Sequence, residues 1–206
     1  MRYNRADTIY CEQIMLKKKH IPNLLTYSRI AVIPLFIGVF YWDKTIAPYL
    51  AGGLFLYASI TDFLDGYFAR AWQATSSIGR FLDPIADKLL VATALVMLVN
   101  EGRADVLPAI AIVCREILVS GLREFLAEIR ISVPVSKLAK FKTAAQLVAI
   151  LLLLISPALP NWFYAQWMGD SLLWIAAILT LLTGYIYLKT GIVHLAANDA
   201  KRDDSE

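Results

Sequence analysis

The sequence predicts an all-α polytopic membrane protein: six transmembrane helices around a polar cavity facing the cytoplasm, with both termini on the cytoplasmic side. Three observations predict it. The 206 residues are 58% hydrophobic and only 18% charged, with a mean hydropathy of +0.57, which is more apolar surface than one soluble globule of 23.0 kDa can enclose. The apolar residues fall in runs that approach or exceed the ~18 needed to cross a bilayer. The basic residues divide between alternate loops as they do in multi-spanning proteins. The same composition excludes a disordered chain, a secreted disulfide scaffold and a nucleic-acid module. The two cysteines, Cys11 and Cys114, stand in a basic leader and in an apolar run, with no disulfide or metal spacing.

Residues 1–20 form a basic cytoplasmic leader, with Asp7 to Lys19 able to make a short interfacial helix drawn to anionic headgroups. It does not read as a cleavable signal, because the apolar run after it is long enough to span and no small-residue cleavage site follows. Residues 21–195 form the helical domain, with spans at Leu24–Trp42, Ile46–Trp72, Phe81–Asn100, Asp105–Phe125, Thr143–Pro157 and Ser171–Leu188, and residues 196–206 form a cytoplasmic tail. One side of the membrane receives Arg2, Arg5, Lys17–Lys19, Arg70, Arg80, the segment Arg130 to Lys142, and Lys201–Arg202. The other receives only Lys44 and Arg103, so the termini are placed inside. The loop Ser156–Asp170, with Trp162, Phe163, Tyr164 and Trp167, is then outside, its aromatics suited to an interfacial belt.

The fifth and sixth spans are uncharged, as structural helices should be. The first four carry Arg29, then Asp62 and Asp65, then Asp83, Asp87 and Lys88, then Arg115, Glu116, Arg123 and Glu124. An ionisable group at membrane depth costs at least a few kcal/mol unless paired, metal-bound or wetted, so these residues mark a functional site. Given the orientation, Arg29, the four aspartates and Arg123 lie near the cytoplasmic ends of their spans, while Arg115 and Glu116 lie nearer the middle. Asp62 and Asp65 are i, i+3, and Asp83 and Asp87 are i, i+4, so each pair projects from one helix face. Four carboxylates from two neighbouring helices repel in a low dielectric. An all-oxygen set of this kind calls for Mg²⁺, Mn²⁺ or Ca²⁺ rather than zinc or copper. Gly66, Ala69 and Gly79 between the pairs would let a bulky group approach the backbone, and Arg70 adds a planar donor suited to phosphate. Snorkelling ends and structural ion pairs are the competing explanation for Lys88 and Glu124, and an internal ion pair with Glu116 for Arg115.

Asp62, Asp65, Gly66, Ala69, Arg70, Gly79, Asp83 and Asp87 together resemble the CDP-alcohol phosphatidyltransferase signature D-x-x-D-G-x-x-A-R-x8-G-x3-D-x3-D, matched at every fixed position. The resemblance covers nearly all of the chain after about Lys19. The segments Ile21 to Arg29, Phe81 to Lys88, Arg115 to Glu124 and Lys140 to Gln146 are most similar to the bacterial branch that transfers the phosphatidyl group of CDP-diacylglycerol to sn-glycerol 3-phosphate.

That resemblance implies two divalent ions, Mg²⁺ or Mn²⁺, on Asp62, Asp65, Asp83 and Asp87, with Asp87 also the general base. It implies CDP-diacylglycerol contacts at Gly66, Ala69, Arg70 and Gly79, and at Asn23, Thr26 and Arg29 from the first helix. The acceptor's phosphate needs its own cations, for which Arg115, Arg123, Lys140 and Lys142 are available. It further implies a homodimer in a bacterial cytoplasmic membrane. Two alternatives stay open: a family member with another acceptor, such as a cardiolipin synthase of this type or a serine or inositol transferase, and a cation or proton transporter using the carboxylates as a relay. The second predicts ionisable residues along a path through the membrane, whereas the outer halves of the spans lack them apart from their ends.

Overall fold

The computed structural model describes the backbone of residues 24–72, 77–129 and 137–203, and the side chains of residues 24–64, 82–129, 141–161 and 163–192. The leader, residues 1–20, lies outside them, as do the last three residues of the tail. Among the described residues there is helix and no strand. The helices are α1 (Leu24–Val39), α2 (Ala47–Trp72), α3 (Ser77–Asn100), α4 (Val106–Glu128), α5 (Lys137–Ile155) and α6 (Trp162–Asp203), with a 3-10 turn at Ser156–Ala158 between the last two.

Local chemistry sets the boundaries. Before α2, the Asp43 carboxylate accepts from the Thr45 backbone N–H at 2.8 Å, and the Asp43 carbonyl accepts from Ala47 at 2.9 Å. The Thr45 backbone N–H and hydroxyl hold the Asp43 carboxyl below the usual carboxylate range. Pro48 falls in the first turn of α2, where its missing N–H has no helical partner to lose. α3 ends on Gly102, whose φ of 66° only glycine adopts cheaply. The N–H groups of Gly102 and Arg103 turn back to the carbonyls of Val99 and Leu98 at 3.0 and 2.9 Å, a glycine C-cap. Asp105 then caps α4 by accepting from Leu107 N–H at 3.3 Å.

The chain divides into two compact units within α3, between Ala94 and Leu95. In the first, each helix has a buried stripe at helical spacing: Thr26, Arg29, Val32 and Phe36 on α1, Ala51, Phe55 and Ala58 on α2, and Ala86, Leu90 and Ala94 on α3. Asp62 continues the α2 stripe one turn past Ala58, and Asp83 precedes Ala86 on α3. The fold therefore carries apolar packing along each stripe and ends it in a polar group.

In the second unit α6 packs against both α5 and α4. Its buried stripe runs Leu173, Ala176, Ala177, Thr180, Thr183, while α5 buries Lys142, Gln146, Ala149, Ile150 and Leu153. Small residues set the approach: a Cβ at Gly169 would stand 2.7 Å from Leu153 Cδ2, and one at Gly191 would stand 3.0 Å from Leu122 Cδ2. Close backbone approach of this kind is how helices associate where lipid removes the hydrophobic drive.

Four expected spans coincide with helices to within four residues at each end, and α5 begins six residues before the fifth. The expected outer loop Ser156–Asp170 does not survive: α6 begins at Trp162, leaving only Leu159 to Asn161 between it and the 3-10 turn. The Asn161 carbonyl accepts from Tyr164 at 3.1 Å and Ala165 at 3.3 Å, which starts the helix, and no proline follows Pro160 to stop it. Phe163, Tyr164 and Trp167 stand on the first turns of α6, and Gly169 is a packing contact. Among the described residues two helices are, by length and composition, long and apolar enough to cross a membrane, over Phe141–Ala158 and Phe163–Ile192, and α1 is apolar but shorter.

Candidate active site

In the first unit the polar ends of three stripes meet. Arg29 is 1% exposed, and its guanidinium reaches two carboxylates: Nη1 donates to Asp62 Oδ1, and Nη2 donates to Asp83 Oδ1 at 3.1 Å. Thr26, one turn before Arg29 on α1, also donates its hydroxyl to Asp83 Oδ1. The arginine is sealed but the acids are not, since Asp62 is 44% and Asp83 37% exposed at the side chain. Asp87 is exposed one turn after Asp83 on α3. Pro84, between them, removes an N–H from the helix ladder, and Lys88 Nζ donates to the Pro84 carbonyl at 2.8 Å. Lys88 thus serves the helix backbone, in keeping with the structural explanation for it.

A second polar cluster occupies the second unit, where α4, α5 and α6 pack. Glu116 Oε1 accepts from Arg115 Nη1 at 3.2 Å and from Lys142 Nζ. Lys142 is 3% exposed. Arg115 also donates Nε to the Thr180 carbonyl and Nη2 to Thr183 Oγ1, each at 3.1 Å. Gln146, one turn beyond Lys142, and Thr180 each bury a side-chain oxygen with no hydrogen-bond partner among the described residues.

Residues 19–182 match the family model described as CDP-alcohol phosphatidyltransferase. The chain belongs to the CDP-alcohol phosphatidyltransferase family. It is 49% identical over 171 residues to a Rickettsia bellii protein named CDP-diacylglycerol–glycerol-3-phosphate 3-phosphatidyltransferase, covering 83% of this chain and 94% of that one. The Rickettsia typhi protein of that name is 48% identical over 171 residues, 83% and 96% of the two chains. The Escherichia coli K12 protein of that name is 42% identical over 173 residues, 82% and 93%.

CDP-alcohol phosphatidyltransferases are generally dependent on a divalent metal. Among the described residues no three His, Cys, Asp or Glu side chains form a metal-binding group, and the side chain of Asp65 lies outside those residues. Two of the three signature carboxylates whose side chains are described, Asp62 and Asp83, nevertheless fit a cation. Asp62 and Asp83 converge from different helices, offer only hard oxygen donors, are both more than a third exposed, and share a single arginine. Of the other signature positions of this family, Gly66, Ala69, Arg70 and Gly79 also lie outside the described side chains, and so do Asn23 and Lys140.

Of the four cations expected at the acceptor's phosphate, Arg115 and Lys142 are brought together on one carboxylate, and Arg123 is exposed two turns further along α4. Sequence reasoning singled out neither Thr180, Thr183 nor Gly184. The available signal was two hydroxyls at i, i+3 in an otherwise aliphatic span, which is also how a structural helix satisfies a threonine.

Proposed function

We propose that the chain is a divalent-metal-dependent enzyme that transfers the phosphatidyl group of CDP-diacylglycerol to sn-glycerol 3-phosphate, giving phosphatidylglycerophosphate and CMP. The observation that carries this reading is the presence, in a member of this family, of two clusters of opposite character among the described residues: carboxylates in excess around Arg29 in the first unit, and cations in excess around Glu116 in the second. The first suits a metal-bound pyrophosphate and the second a phosphomonoester. The names of relatives 42–49% identical support the acceptor.

Asp62, Asp65, Asp83 and Asp87 would hold two Mg²⁺ or Mn²⁺ ions, which when bound neutralise the pyrophosphate and stabilise the departing CMP. Thr26 and Arg29 fix the orientation of Asp62 and Asp83, and together with Asn23, Gly66, Ala69, Arg70 and Gly79 line the CDP-diacylglycerol side. Asp87, exposed on α3, takes the proton from the glycerol 1-hydroxyl as its oxygen bonds to the phosphorus carrying diacylglycerol and the bond to the CMP oxygen breaks. Arg115, Arg123, Lys140 and Lys142 bind the acceptor's phosphate, with arginine supplying a planar fork and lysine a point charge. The reading includes six spans with cytoplasmic termini in a bacterial inner membrane, and a homodimer.

Purified protein in detergent with CDP-diacylglycerol, Mg²⁺ or Mn²⁺ and labelled glycerol 3-phosphate tests this directly. Label entering the lipid phase with matching CMP release, dependent on metal and lost in Asp87→Asn, is the expected result. CMP release only with a different alcohol would overturn the acceptor, and no turnover with any alcohol would overturn the reaction.

A further inference from the structure

α6 carries none of the signature positions, yet it makes most of the contacts of Arg115. The Thr183 hydroxyl gives its hydrogen to the helix itself, to Leu179 O at 2.8 Å with Thr180 O at 3.1 Å. That leaves an oxygen lone pair fixed toward Arg115 Nη2 at 3.1 Å. The Thr180 carbonyl takes Nε at the same distance. Gly184 supplies the space: a Cβ there would stand 2.9 Å from Arg115 Cγ and 3.3 Å from Nε. Arg115 and Gly184 also border an open groove that is almost wholly apolar, with Leu118, Leu181 and Tyr185, so an anion is placed by the guanidinium and not by the groove. With Glu116 on Nη1, three of the five guanidinium N–H groups have partners among the described residues, leaving two for an anion.

We propose that Thr183 and Gly184 are positioning residues for the acceptor's phosphate: α6 forms a cradle that fixes the guanidinium plane of Arg115 and so sets which of its N–H groups meet the phosphate. The inference rests on the reading of Arg115 as a phosphate-binding residue. A guanidinium that free rotation would scatter is held at both its Nε and Nη2 edges, so the ordering entropy is removed before substrate arrives. The role proposed for Thr183 in acceptor binding runs through Arg115, which separates it from general packing.

The test is steady-state kinetics of the full-length enzyme in mixed micelles with CDP-diacylglycerol and Mg²⁺, together with thermal midpoints. Thr183→Val should raise KM for glycerol 3-phosphate about tenfold, the worth of one hydrogen bond to a charged group, with kcat and KM for CDP-diacylglycerol within about twofold of the parent. Thr183→Ser should restore the parent KM, and Gly184→Ala should reproduce the Val variant. Adding Thr183→Val to Arg115→Gln should change KM no further. A Thr183→Val effect undiminished in the Arg115→Gln background would overturn the proposal. So would a uniform fall in all constants tracking a lower thermal midpoint, or an unchanged KM while Arg115→Gln raises it. An unchanged KM in Arg115→Gln itself would instead overturn the reading of Arg115 on which the proposal rests.

Discussion

The two polar clusters of this protein combine the same two kinds of group, cations and carboxylates, in opposite proportion among the described residues. Around Arg29 one buried cation serves two carboxylates, Asp62 and Asp83, which are both partly exposed. Around Glu116 one carboxylate serves two cations, Arg115 and Lys142, which are both more buried than it is. Among the described residues the first is acid-rich and the second cation-rich. Buried ion pairs contribute little net stability, because desolvation offsets the attraction. On the proposed function the imbalance is ligand chemistry: a metal-held pyrophosphate would complete the first cluster and a phosphomonoester the second.

The largest effect should come from removing the excess of the first cluster. Asp83→Asn should lower turnover by about 10³-fold or more, on the scale of losing a principal charge-stabilising group, as read from CMP release at saturating acceptor. Arg29→Ala should come next. It leaves Asp62 and Asp83 without their shared guanidinium, and breaking such a pair from one side costs about 3–5 kcal/mol when buried. The partial exposure of the acids reduces that figure. The thermal midpoint should fall, and millimolar Mg²⁺ should recover more of it than it adds to the parent; equal gains in both proteins would break the comparison. Arg29→Lys should not rescue, since an ammonium cannot span two carboxylates as a planar fork does.

In the second cluster Glu116→Ala should lower stability by about 1–3 kcal/mol, less than a sealed pair because Glu116 is about a quarter exposed. It should also raise KM for glycerol 3-phosphate, since both cations lose a common anchor. Thermal melts and acceptor titrations check the two parts separately. The smallest effect belongs to a residue outside both clusters. The Asp43 carboxyl is held low by Thr45, so its stabilisation is present above the unfolded carboxylate pKa and is lost as pH falls through the lower folded value. Asp43→Ala should lower the thermal midpoint slightly at neutral pH and not at all in strong acid, with kinetics unchanged.

Most of the helices, and Asp62 and Asp83 as members of one polar site, were legible in the sequence, for a physical reason. A charge in an apolar run is costly enough to be conspicuous, and carboxylates at i, i+3 and i, i+4 can only share a face. Two things were not legible. Trp162 to Asp170 reads as a loop because aromatic and polar residues replace the aliphatic run, yet nothing there breaks a helix, and the Asn161 carbonyl starts one. The partners of Arg115 were equally hidden. Thr180, Thr183 and Gly184 lie 65 to 69 positions away from it and carry no charge, and such residues commonly serve only their own helix. The sequence reading placed Arg29 on the nucleotide diphosphate, and its two carboxylate contacts emerge only when three helix stripes converge.

The most direct test of the opposed clusters is a paired measurement on Asp62→Asn and Lys142→Gln: the Mg²⁺ concentration for half-maximal activity and KM for glycerol 3-phosphate, each at saturation of the other component. Asp62→Asn should raise the Mg²⁺ requirement and leave KM for glycerol 3-phosphate near the parent value, and Lys142→Gln should do the reverse. Both variants shifting both constants together, or Lys142→Gln moving only the Mg²⁺ requirement, would contradict the assignment of one cluster to a cation and the other to an anion.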